Sequence, residues 1–162
     1  MPIFNILIHK GPLIIKKMSP NNDDLAYPDG IYQNILYMCG FHPINIFAGF
    51  YYGNYVGGTM GIALLATSIN YWRRPIVKSY RRIVDMCVAM SVVPYHIYLS
   101  FFTSNRLLCS GPLIFGSIMY PFSIWIYNRK YIKSAAYCHC LLHLSIIAGA
   151  SLTYRDLFLR LV

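Results

Sequence analysis

Apolar residues run through this chain in blocks that charged residues leave untouched. Residues 30–72, 86–105, 107–128 and 134–154 contain no Lys, Arg, Asp or Glu, giving runs of 43, 20, 22 and 21 positions. A helix needs about 20 predominantly apolar residues to cross a hydrocarbon core of ~30 Å. The pattern therefore predicts an all-α membrane protein, a bundle of about four transmembrane helices over residues 44–70, 84–104, 107–127 and 133–153. These make a transmembrane domain over 44–154. An N-terminal extracytosolic or interfacial segment, 1–43, precedes it, and a short C-terminal tail, 155–162, follows.

The first run is too long for one helix and too short for a clean pair. Gly40-Phe-His-Pro43 interrupts it, so the part before residue 44 reads as an interfacial or re-entrant piece leading into the first helix. Tyr27, Tyr32 and Tyr37 suit a membrane surface. The first 15 residues have no basic n-region, and Lys10 splits their apolar stretch, so no signal peptide is expected. Met18 to Asp29 reads as a polar loop rich in turn formers.

Composition agrees: 57% of the 162 residues are hydrophobic and 12% are charged, against about a quarter charged in a soluble domain. The net charge is +9, from 14 Lys+Arg against five acids, all Asp. Position decides what that excess means. Arg73, Arg74, Lys78, Arg81 and Arg82 fall between the first two expected helices, and Arg129, Lys130 and Lys133 between the last two. Only Arg106 falls between the middle pair. The positive-inside rule puts both basic loops in the cytosol and both termini outside. The basic excess thus reads as orientation and contact with anionic head groups. The lipid bilayer is the expected partner, and no nucleic acid is expected. The membrane system is not specified.

Gly49, Gly53, Gly57 and Gly61 recur every four residues in the first expected helix. Small residues at that spacing let helices approach closely in lipid. The ladder reads as packing inside the bundle, or as a face for a homo-oligomer or a membrane-protein partner. At 100° per residue, Gly57, Gly61 and Ser68 share one face. Pro94, Pro112 and Pro121 are expected to kink the second and third helices. The five cysteines, an odd number falling mostly inside expected spans, suggest no disulfide framework.

Ionisable groups within a membrane are costly and mark functional sites. Asp85 begins the second expected helix. His139 and His143 stand four residues apart on the last, so both imidazoles project from one face. Ser68 ends the first helix on the same side. Three segments thus bring polar groups to a similar depth. Two His and one carboxylate form a known catalytic zinc set with a position left for water. Asp85, His139 and His143 could supply it, the metal lowering the pKa of its bound water to about 7. His9 and His42 fall outside the expected spans. His96 lies about 16 Å along its helix from Asp85. None of these three is an obvious third nitrogen.

The order of these residues resembles the membrane hydrolase superfamily of alkaline ceramidases and adiponectin/progestin receptors. That family carries Ser-x-x-x-His at the end of one helix, Asp early in the next and His-x-x-x-His in a late one. Here Ser68-Ile-Asn-Tyr-Trp72, then Asp85, then His139-Cys-Leu-Leu-His143 follow the same order. Trp72 stands where the first zinc ligand would be, and the family has seven membrane helices rather than four. The resemblance spans residues 60–150. It implies a zinc-dependent hydrolase of lipid amides, with Ser68 and Asp85 near the metal-bound water. The residues themselves are read as a site for hydrolysis of a lipid amide or ester at the cytosolic leaflet, with Ser68 and Asn70 orienting water or substrate. Two readings stay open: a reduced or degenerate hydrolase of this kind, or a non-catalytic scaffold, assembly or envelope protein packing through its glycines.

Overall fold

The 43-residue charge-free run does not form a single span. In the structure, a computed structural model describing residues 25–162, it yields three helices: α1 (Tyr32–Cys39), α2 (His42–Tyr51) and α3 (Tyr55–Trp72). His9, Lys10 and the first part of the expected polar loop lie outside the described residues. Three more helices follow, α4 (Tyr80–Ser100), α5 (Arg106–Asn128) and α6 (Ile132–Leu161). Among the described residues, α4, α5 and α6 are the helices long and apolar enough to cross a membrane. The expected first span at 44–70 is corrected to a broken pair.

The break has a local cause. Gly53 sits at φ 73°, a left-handed conformation that ends α2. Asn54 then caps α3, its side-chain oxygen accepting from the Gly57 N–H at 2.8 Å. The chain reverses, and α2 folds back antiparallel along α3. Gly49 lies so close to Gly58 that a Cβ on Gly49 would stand 2.8 Å from the Gly58 backbone. One on Gly61 would stand 2.8 Å from the Ile46 side chain. The four glycines therefore do not form one ladder. Gly49 packs within the hairpin, Gly53 makes its turn, Gly57 abuts the Tyr154 ring and Gly61 faces Ile46. They close the chain on itself at these four positions.

The helices α3 to α6 alternate in direction. Ser68 of α3 meets Asp85 of α4, while Asn54 at the other end of α3 meets Tyr95. The closest helix pair is α5 with α6, where Gly149 admits Leu113, whose Cγ would lie 2.6 Å from an added Cβ. Both α4 and α5 run on through their prolines. The α5–α6 turn holds Lys130 at φ 69°.

One end of the bundle carries both basic loops. Residues 25–40 pack there too: Ala26 N–H donates to Pro75 O at 2.7 Å. Tyr27 packs against Trp72 and Tyr127. The expectation that segment 1–43 lies on the side away from the basic loops is corrected for these residues. The hairpin is the reason, because it adds one more reversal of the chain. At the opposite end Asp156 accepts from the Ser104 N–H, and Arg160 donates to Phe102 O. Residues 155–161 continue α6 rather than forming a separate tail.

The distribution of polarity is inverted relative to a soluble bundle. His42, Asn45, Ser68, His96, His143 and Thr153 are buried. Met90, Tyr98, Leu107, Ile118, Trp125 and Leu144 face outward. Such a surface is stable against lipid and would be a large apolar patch in water.

Candidate functional site within the bundle

The carboxylate of Asp85, in the second turn of α4, is held by α3. Ser68 Oγ donates to its Oδ1 at 2.7 Å. Thr67 Oγ1 reaches the same oxygen at 3.1 Å. Consecutive residues do this because the last turns of α3 and the first turns of α4 run antiparallel beside one another. Both hydroxyls engage one oxygen, which leaves Oδ2 for another partner. Ser68 itself is 1% exposed.

Across the bundle His139 and His143 share one face of α6, their ring centroids 5.2 Å apart. The residue sequence reasoning missed is His42. The hairpin carries the start of α2 back to the depth of Ser68, and His42 Nε2 lies 3.0 Å from His143 Nδ1. One N–H is shared between two neutral rings. If His42 donates, His143 Nε2 carries its ring's proton and His42 Nδ1 is a bare acceptor; if His143 donates, the roles reverse. Either tautomer leaves one donor and one acceptor. Those two atoms, His42 Nδ1 and His143 Nε2, are buried without a hydrogen-bond partner. Buried polar groups are nearly always paired; Asn45, one turn along α2 and with its own Oδ1 unpaired, stands nearest in sequence to His42 Nδ1, and both imidazoles line a cavity.

Trp72, at the family's first ligand position, packs its ring on His139 at 4.8 Å between centroids. It is 4% exposed and belongs to an apolar cluster with Tyr27, Ile35, Cys39, Tyr71, Ala135 and Ala136. Trp72 thus forms a packing wall beside His139. All five cysteines are free, and Cys140 packs against this same cluster.

Ser68, Asp85, His139, His143 and His42 all line one cavity of about 450 Å³. Its remaining walls are mostly apolar and come from α3, α4 and α6, with Ser117 and Tyr120 from α5. A second cavity of about 240 Å³ lies toward the basic end, lined by Arg82, Asn128, Tyr27 and Tyr127 among others. The two share Asp85, Met86, Tyr120 and His139. The four residues singled out in the sequence are therefore brought to one place.

The expected zinc set fares differently. Among the described residues no group of three or more His, Cys, Asp or Glu is arranged to hold a metal ion. Asp85 Oδ1 is engaged by two hydroxyls, and His143 Nδ1 by His42. As arranged, these side chains do not fit a zinc centre.

A separate polar pair lies toward the other end. His96 Nδ1 donates to Val92 O at 2.7 Å, so its Nε2 accepts from the Tyr154 hydroxyl. Both partners are satisfied, which reads as structural. No family model, curated protein or solved structure matches this chain.

Proposed function

We propose that this chain is a multi-pass integral membrane protein that hydrolyses a lipid ester or amide inside the bilayer, with Asp85 as the base. The observation that carries this reading is the convergence of Ser68, Asp85, His42, His139 and His143 on one largely apolar cavity. Five helices line it, and two of its buried imidazole nitrogens lack partners.

The chemistry uses groups already positioned. Ser68 and Thr67 fix the Asp85 carboxylate through Oδ1. Its Oδ2 takes a proton from water as the water oxygen attacks the carbonyl carbon. The unpartnered imidazole N–H of the His42–His143 pair donates to the oxyanion that forms, in a site where low dielectric strengthens that bond. Collapse breaks the C–O or C–N bond, and the leaving oxygen or nitrogen takes the proton held by Asp85. A carboxylic acid and an alcohol or amine result.

The test is hydrolysis of fluorogenic acyl esters and amides by purified protein in lipid nanodiscs. Asp85→Asn should lower the rate by about 10²–10⁴-fold, the usual worth of a general base. Retained activity in a folded Asp85→Asn protein, or no activity of the parent on any such substrate, overturns the reading. Treatment with a zinc chelator should leave the rate unchanged. Loss on chelation with recovery on added zinc would return the site to the metal-dependent class.

A further inference from the structure

The two cavities, the basic end and one face of α4 carry a conclusion about what enters. We infer that the cavities form one slot for a single-chain anionic amphiphile, with its acyl chain in the larger cavity and its phosphate or carboxylate head at Arg82. This deepens the hydrolase reading by naming the class of molecule.

Helix α4 aligns the parts. Arg82, Met86, Ala89, Val93 and Ile97 follow one another at three- and four-residue steps, so they share a face. The stripe runs about 22 Å at 1.5 Å per residue. Arg82 lines the smaller cavity, Met86 lines both, and the last three line the larger one. Charge thus sits at one end of the stripe and hydrocarbon along the rest. Between them lie Asp85 and His139, which line both cavities.

The head-group end is specified by charge. Arg82 is half-buried, and one guanidinium nitrogen donates to Val77 O at 3.2 Å. A guanidinium carries five N–H donors in a planar fork that matches phosphate or carboxylate. Seven further basic residues of the two loops surround this end. The chain end is specified by shape. The larger cavity, about 450 Å³, is apolar along the α4 stripe, and a stripe one side chain wide makes a bed for one acyl chain. Where the cavities meet, the Tyr120 hydroxyl of α5 rests 3.8 Å from Met86 Sδ of α4. This soft contact lies across the path an entering chain takes.

The experiment titrates hexadecyl phosphate, palmitate and zwitterionic hexadecylphosphocholine into the full chain in neutral-lipid nanodiscs. Fluorescence of Trp72, which lines the smaller cavity, is read in a Trp125→Phe background. Saturable binding of one or both anionic probes, at least tenfold tighter than the zwitterion, is expected. The stronger of the two identifies phosphate or carboxylate as the head. Arg82→Gln should abolish the preference and Arg82→Lys should keep part of it. Ala89→Phe should weaken all three probes. Equal binding of the three probes, non-saturable binding, or an unchanged preference in Arg82→Gln overturns the inference. Asp85→Asn should still bind, so saturable anionic binding without any hydrolysis by the parent defeats the enzymatic reading alone.

Discussion

His42 and His143 stand 101 positions apart in sequence and 3.0 Å apart in the structure, imidazole nitrogen to imidazole nitrogen. This bond ties the start of α2 to the first half of α6. It also leaves each ring one buried nitrogen without a partner.

Removing either ring strands the other. His42→Ala or His143→Ala should each lower stability by about 1–3 kcal/mol, the cost of an unsatisfied buried polar group. The double variant should cost less than the sum, by about 0.5–3 kcal/mol, because the two contact each other. Thermal unfolding in detergent of the four proteins measures this. Full additivity would show that the pair does not interact.

The hairpin turn is held by few residues. Gly53→Ala should cost about 1–2 kcal/mol, because a Cβ disfavours the left-handed backbone at φ 73°. Asn54→Ala should cost about 1 kcal/mol as a lost N-cap, and more if the Tyr95 hydroxyl is left without its 3.3 Å partner. Thermal melts of the single variants check both.

Close approach can be tested apart from turn geometry. In Gly49→Ala the new methyl meets the Gly58 backbone, which cannot swing away, and overpacking of this kind costs about 1–3 kcal/mol. At Gly111 a Cβ meets nothing within 4 Å, so Gly111→Ala should stay within about 1 kcal/mol of the parent. Both variants should keep the oligomeric state of the parent in detergent, as read by light scattering. A change of state in Gly49→Ala at unchanged stability would restore the glycines to an intermolecular role.

Sidedness follows from the extra reversal. A cysteine at exposed Asp29 and one at Lys130 should react with an impermeant maleimide from the same side of the membrane. A cysteine at exposed Leu161 should react from the other. Labelling of Asp29→Cys and Leu161→Cys from one side would contradict the arrangement of the bundle.

Much of this was legible in the chain. Runs without charge located α4, α5 and α6, because lipid tolerates few charges within a span. Shared depth and helical spacing brought Ser68, Asp85, His139 and His143 to one cavity, since positions along straight helices follow from counting residues. His42 was not legible for a corresponding reason: residue counting gives depth only along an unbroken helix, and the chain breaks between α2 and α3. The signal was present in Gly53-Asn54, a turn glycine followed by a capping residue. It was masked by the apolar residues on both sides. The glycine spacing misled similarly, because a four-residue repeat implies one face only if the helix continues through it. The fate of Trp72 was also hidden. Its packing on His139 depends on α1 and the Tyr27 segment, which no local pattern places there.

The length of α2 bears on how the protein is made. Ten residues span about 15 Å, half the hydrocarbon thickness, so α2 has no independent way to cross a bilayer. Its place therefore depends on what it packs against: α3 through the Gly49–Gly58 approach and α6 through the His42–His143 bond. Because α6 is the last helix in chain order, the buried end of α2 is covered, and the cavity closed, only when the final helix has been made.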